Sequence, residues 1–290
     1  MLRNPILATA AVAASLFTAS AIAGEAPILG YELFGSGPEK VIVFHDWMGD
    51  ARNYDTVRPW LDTAAFTYAF ADIRGYGASK GLEGGYDSEE IAADTLRLAD
   101  HLGWARFHLV GHSMNGMAGF KTLLRDWQGE RRIESFVAVT PVTPDGYPAS
   151  EGDRAFLEAA ITDDETARNA FAGLTGGSLN AAWADNKTVR NRATSRPDAL
   201  YGYFRMWLDE DYAKQLHAAE VGTATLVIGG RNDLPGFQEA YYAKTVALWL
   251  PNIRFAYIEN AGHYPMQETP VLFATLVEAH LKANASVTGR

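Results

Sequence analysis

The sequence predicts an α/β protein: a mostly parallel central sheet with helices on both faces and a helical segment inserted late in the chain. Three observations carry this. Short apolar, β-rich runs alternate with helical patterns along the chain, one long interval has no strand-like run, and a glycine-flanked serine stands between a strand and a helix. Such alternation marks strands joined by crossover helices, which makes the sheet parallel and buries both its faces.

The chain opens with Arg3, an apolar stretch of small residues from Ile6 to Ala19, and the small-x-small series Ala21, Ile22, Ala23. This is the pattern of a secretory signal, so residues 1–23 are assigned to a signal peptide cleaved after Ala23, and the mature protein is expected to be secreted or periplasmic. The apolar run falls short of the roughly 20 strongly hydrophobic residues of a membrane span, so no stable membrane association is expected after cleavage.

Six strand-like runs follow: VIVFHD (41–46), FTYAFADI (66–73), FHLVGH (107–112), IESFVAVT (133–140), ATLVIGG (224–230) and IRFAYIEN (253–260). Between them, a helix starts at an Asp87/Glu90 capping box and carries Ile91, Thr95, Leu98 and Leu102 at helical spacing. A terminal helix starts at Pro270 with Leu272, Phe273, Leu276, Val277 and Leu281 inward. The rhythm breaks after PVTPDGYP (141–148), where helical stripes and a Thr162/Glu165 capping box replace strands up to residue 220. Residues 24–145 and 221–290 are therefore assigned to the core and 146–220 to a helical cap. In its last part Ala199, Leu200, Tyr203, Phe204, Trp207 and Leu208 repeat at helical spacing after Pro197.

Composition narrows the chemistry. With 290 residues, 48% of them apolar, the chain can bury one large core. It has no cysteine, which excludes thiolate catalysis and cysteine-ligated metal. Its net charge of −10, one unit more negative once Arg3 is removed, repels nucleic acid and anionic membranes and suits a small-molecule substrate. The seven histidines are scattered, and neither a metal nor another cofactor is expected.

Ser113, in GHSMNG (111–116), follows the run FHLVGH and precedes a helical pattern containing Phe120, Leu123, Leu124 and Trp127. A nucleophile elbow needs that strand-to-helix context, with small residues two positions before and after the serine. Gly111 satisfies the first and Asn115 breaks the second; asparagine tolerates positive φ better than most residues and Gly116 follows, so the turn is expected to survive with a modest shift. A bare helix N-cap is the alternative role for Ser113.

Four further stretches carry a resemblance. VIVFHDWMGDARNY, ADIRGYGAS, IGGRND and ENAGHYPMQETP resemble, in order, the oxyanion loop, the D-x-R-G-x-G-x-S loop, the acid-bearing strand end and the histidine loop of the α/β-hydrolase superfamily. With the inserted helices, the chain is similar to its cap-bearing serine esterases over nearly all its mature length.

Serine needs a base, and His263 alone among the histidines lies on a glycine-flanked loop after the last predicted strand. Asp233, three residues past ATLVIGG, is the preferred acid to orient it, with Asp145 in P-D-G as the rival. The resemblance assigns the oxyanion donors to the amides of Trp47 and Met114, but Asp46 stands where the family has glycine; its carboxylate is expected to turn away, held by Arg52 or by loop amides. Asp72 and Arg74 read as a loop clamp. Trp183, Tyr203 and Trp207 are expected to form an apolar, substrate-binding roof.

The resemblance thus implies a cofactor-free serine hydrolase that cleaves a carboxylic ester or related acyl bond of a small, largely apolar substrate, and the N-terminal signal pattern makes it an exported one. Lactone, thioester, amide or carbon–carbon cleavage and cofactor-free peroxidation use nearly the same residues. A catalytically silent ligand-binding protein is the reading from another class, favoured by Asp46 and Asn115.

Overall fold

The computed structural model describes residues 26–285; the expected signal peptide and its cleavage site at Ala23 lie outside the described residues. Seven strands form one sheet: β1 (Tyr31–Gly35), β2 (Glu39–Phe44), β3 (Phe66–Ala71), β4 (Phe107–His112), β5 (Ile133–Val139), β6 (Ala224–Gly230) and β7 (Ile253–Ile258). Their order across the sheet is β1-β3-β2-β4-β5-β6-β7. All neighbours are parallel except β1, which runs antiparallel to β3.

The six expected strands are present, with β2, β3, β5 and β7 ending one or two residues earlier than their apolar runs and β2 also beginning two residues earlier. β1 was not foreseen. It is an edge strand with no buried residue, each being half-buried or exposed, so it lacks the continuous apolar run that marks its neighbours.

Helices α1 (Ser88–His101) and α2 (Met114–Trp127) cross between strands and lie against each other. Asp87 caps α1 by accepting from the Glu90 amide. Five helices fill the interval between β5 and β6: α3 (Glu151–Ala160), α4 (Asp164–Leu174), α5 (Ala181–Thr194), α6 (Pro197–Asp209) and α7 (Ala213–Ala218). The capping box lies at Ser150/Asp153 on α3, while α4 is capped by Asp163 rather than Thr162, whose amide still belongs to the end of α3. Short helices α8 (Glu239–Tyr242), α9 (Val246–Trp249) and α10 (Pro265–Glu268) lead to the terminal α11 (Pro270–Asn284).

Chain order reverses between β2 and β4, so the loops leaving their carboxyl ends diverge and open a crevice there. The loops after β2, β4, β6 and β7 carry Asp46 and Trp47, Ser113, Asp233, and His263 respectively. Parallel pairing brings all of them to one end of the sheet.

Candidate active site

Ser113 is the hinge between β4 and α2, at φ 58° and ψ −118°. A non-glycine residue at positive φ costs on the order of 1–3 kcal/mol and needs its surroundings to hold it. Here the Ser113 amide donates to Val139 O at 2.9 Å, and Ser113 O accepts from the amides of Gly116 at 2.8 Å and Val142 at 3.1 Å. The hydroxyl does not cap the helix it precedes, so the N-cap alternative does not apply. A Cβ on Gly111 would lie 2.2 Å from Asn115 O, and one on Gly116 would lie 2.4 Å from Pro141 Cβ.

Asn115 departs from expectation. It lies inside α2, not at positive φ, and the close approach expected two positions after Ser113 falls instead on Gly116. The Asn115 side chain reaches the loop beyond β2, where Nδ2 donates to His45 O at 2.6 Å. This ties the head of α2 to the residues beside Asp46.

His263 and Asp233 meet directly: Nδ1–H donates to Asp233 Oδ2 at 2.6 Å. A carboxylate only accepts, so this bond places the histidine proton on Nδ1 and leaves Nε2 as the lone-pair nitrogen. The Phe237 ring stands edge-on to the imidazole at 4.4 Å between centroids. Asp233 Oδ1 also accepts from the Leu234 amide at 2.7 Å. Burial pushes the Asp233 carboxyl above the usual aspartate range, against the pull of His263. Asp145 lies elsewhere, accepting from Thr143 Oγ1 at 2.5 Å.

The backbone of His263 is held from two sides. Its amide donates to Leu174 O at the end of α4 at 2.9 Å, and its carbonyl accepts from His112 Nε2 at 2.7 Å and Thr140 Oγ1 at 3.2 Å. Burial pushes His112 down to about 3, so it serves as a neutral donor. Gly262 permits the approach, because a Cβ there would lie 2.5 Å from Leu174 O.

Asp46 lines the same cavity as Ser113, and its carboxylate is held, though not by Arg52, which pairs with Asp50 instead. Its Oδ2 accepts from Tyr264 OH at 2.6 Å, and Oδ1 accepts from Asn53 Nδ2 and, at 3.2 Å, from Lys187 Nζ. Lys187 also donates to Asn53 Oδ1 at 2.9 Å. Burial alone would raise the Asp46 carboxyl, yet the Lys187 ammonium and the Tyr264 hydroxyl hold it far below the usual range. Burial in turn pushes Lys187 down to about 8. Trp183, Lys187, Arg190 and Thr194 share one face of α5 and bond to Gln267, Asp46, Asn53 and Asp50 respectively. Sequence reading missed Lys187 altogether.

Of the expected oxyanion donors, Met114 is the first residue of α2, so its amide has no acceptor within the helix. Trp47 follows Asp46, its indole fixed by donation to Leu200 O at 2.9 Å and stacked on Phe204. Asp72 accepts from the amides of Ala51 and Ala78, both at 2.8 Å, and Arg74 pairs with Asp94, consistent with a clamp.

Ser113 and His263 open into one cavity of about 300 Å³. Of the three aromatic residues expected at the roof, Trp207 is among the lining residues and Trp183 and Tyr203 are not. Trp183 lies behind Phe171 and Tyr264 with its indole on Gln267, and Tyr203 is fully buried against Tyr76 and Tyr86. The apolar wall comes instead from Tyr147, Leu157, Phe171, Leu234 and Phe237. No lysine or arginine is among the described lining residues. Glu39, His108 and Glu134 are the one described group that brings ligand atoms within metal-binding reach of one another, and they lie at the opposite end of the strands.

Comparison with known proteins agrees with this architecture. The alpha/beta hydrolase fold family matches residues 40–270, and the chain belongs to that family as one of its hydrolases. It is similar to N-formylmaleamate deformylase from Pseudomonas putida, 27% identical over 199 residues, covering 66% of this chain and 70% of the relative. It is also similar to a non-heme haloperoxidase from Rhodococcus erythropolis, 26% identical over 219 residues, covering 70% and 77%. Among solved structures, a bromoperoxidase from Bacillus anthracis shares the fold with a TM-score of 0.75 at 21% identity, over 87% of this chain and 94% of the other. An esterase from Exiguobacterium antarcticum does so with a TM-score of 0.73 at 20% identity, over 87% and 94%.

Proposed function

We propose that the protein is an exported serine hydrolase that cleaves a carboxylic ester or related acyl bond of a small, largely apolar and uncharged substrate through an acyl-enzyme. The observation that carries this reading is Ser113, held on a strained turn with its hydroxyl left uncapped, in the same cavity as a histidine whose far nitrogen is bonded to a buried carboxylate.

Ser113 Oγ attacks the acyl carbon while His263 Nε2 takes its proton, and Asp233 steadies the imidazolium that forms. The carbonyl oxygen becomes an oxyanion, received by the amides of Met114 and Trp47; each such donor is worth about 3 kcal/mol. The tetrahedral adduct collapses, the carbon–oxygen bond to the leaving group breaks, and His263 returns the proton to that oxygen. Water then repeats the sequence on the acyl-enzyme. Asp46 does not oppose the oxyanion as a bare charge, because Lys187 neutralises it within the same network. The helices of residues 146–220 act as a cap, and the absence of lining cations disfavours carboxylate substrates.

The same groups serve amide cleavage or cofactor-free peroxidation, and the names of the deformylase and haloperoxidase relatives keep both in the substrate panel. The test is intact-mass measurement of the exported product after treatment with a fluorophosphonate. The expected chain starts at Gly24 and carries one adduct; Ser113→Ala carries none and does not turn over short p-nitrophenyl esters. A folded wild type that takes no adduct would favour the ligand-binding reading, and retention of Met1 in a membrane fraction would overturn export.

A further inference from the structure

We propose that Glu39, His108 and Glu134 form a divalent-cation site of the zinc type at the end of the sheet remote from the cavity. Glu39 opens β2, while His108 and Glu134 are the second residues of β4 and β5, three strands adjacent in the sheet. The β4–β5 register shifts between Phe107 and Leu109, so His108 sits at an irregularity where Glu134 and Ser135 face it.

His108 is fully buried, and its Nδ1 is 2.8 Å from Ser135 Oγ. With the ring proton on Nδ1 and donated to that hydroxyl, Nε2 carries the lone pair. Nε2 has no hydrogen-bond partner and lies 3.6 Å from Glu39 Oε2 and 3.6 Å from Glu134 Oε2. Those separations are too long for hydrogen bonds. They match two ligands each about 2.1 Å from a common centre at an angle near 120°. A metal-bound histidine that donates its second N–H to a neighbouring oxygen is the usual arrangement.

Arg106 Nε donates to Glu134 Oε1 at 2.7 Å, which fixes that carboxylate while Oε2 faces the ring. Two acids and one imidazole leave room for water as the fourth zinc ligand. At about 3.3 Å per strand residue, His108 lies about 16 Å along the chain from Ser113, so the ion would tie three strands together without touching the reaction.

The experiment strips the full chain with chelator and titrates it with Zn²⁺ by calorimetry, while following melting temperature and p-nitrophenyl ester turnover. The expected result is one ion per chain, a melting temperature raised by roughly 5 °C at saturating metal, and turnover unchanged between stripped and loaded protein. His108→Gln is expected to abolish uptake. Should that variant not fold, Glu39→Gln at the half-exposed strand start provides the second arm, with affinity reduced at least tenfold. Failure of the wild type to bind one equivalent, or equally tight binding by Glu39→Gln, overturns the site. Turnover that requires the metal would also overturn it, by placing the ion in the cavity.

Discussion

Asp46 and Asp233 both follow the carboxyl end of a strand, both are buried at the same end of the sheet, and they are driven in opposite directions. Asp233 faces an imidazole and one backbone amide, and burial wins, raising its carboxyl. Asp46 faces an ammonium, a phenol and a side-chain amide, and these partners win, holding it firmly ionised. Burial sets what a charge costs, and the partners decide whether the group keeps it. In the proposed reaction Asp233 gains from positive charge appearing on His263, whereas Asp46 already has its counter-charge in Lys187.

The largest effect expected from this contrast is on turnover. Asp233→Asn should lower kcat by about 10³–10⁴, because the histidine loses both its tautomer and its counter-ion, whereas Asp145→Asn should stay within about twofold, the ordinary range for a residue outside the catalytic unit. Steady-state kinetics decide it, and the acid assignment fails if Asp145→Asn is the more damaging.

Next comes stability. Lys187→Met leaves Asp46 buried without its cation, which should cost about 3–5 kcal/mol in denaturant melts. The Asp46→Asn/Lys187→Met double variant should recover most of that loss. If the double variant is no more stable than Lys187→Met, the two residues do not act as a pair.

The two acids also predict opposite responses to acid. The folded Asp46 carboxyl lies below its ordinary value of 3.8, so its contribution is present above that pH and is lost as pH falls toward the folded value. The folded Asp233 carboxyl lies above 3.8, so its contribution is present at lower pH and is lost as pH rises through the folded value. Melts between about pH 2 and 5 should therefore show a flatter acid loss in Asp46→Asn and a steeper one in Asp233→Asn than in wild type. His112, titrating at about 3 when folded against 6.5, also loses stability as pH falls; Asp46 props its folded value up, so the Asp46→Asn slope is read after subtracting that of the Asp46→Asn/His112→Gln double variant, and the Asp233→Asn slope after subtracting that of Asp233→Asn/His112→Gln. Identical pH slopes for the two variants would break the contrast.

The smallest effect concerns the loop that carries Asp46. Asn115→Gly restores the family pattern yet removes the bond to His45 O, and should lower acylation about tenfold, the scale of one lost buried hydrogen bond. Asn115→Val removes the same bond and adds a β-branched side chain beside it, and should be worse. An undamaged glycine variant would make Asn115 a tolerated substitute with no role of its own.

Much of this was legible in the chain. The central strands announce themselves because each is buried on both faces, so an unbroken apolar run is compulsory, and Ser113 and Asp233 stand out because each follows such a run, while His263 stands out by its glycine-flanked loop after the edge strand β7. What escaped depends on distant partners. Lys187 reads as one cation on a polar helix, and only the fold places it beside Asp46, 141 residues earlier. The aromatic stripe of α6 shows which side turns inward but not what it meets there; Trp207 meets the cavity and Tyr203 meets other tyrosines. His108 and His112 are four apart, a ligand spacing on a helix, but on a strand they stand about 13 Å apart. The carboxylates beside His108 come from two other strands, which no local spacing reveals.

The bond from the His263 amide to Leu174 O has a consequence for anyone who re-engineers specificity by exchanging modules between relatives. The residues between β5 and β6 look like a detachable lid, yet one of them supplies a footing for the histidine loop, and Gly262 is shaped to its backbone. A chimera that exchanges these helices must keep Leu174, Thr175 and Gly262 as a matched set, or it will shift the His263 backbone together with the shape of the cavity.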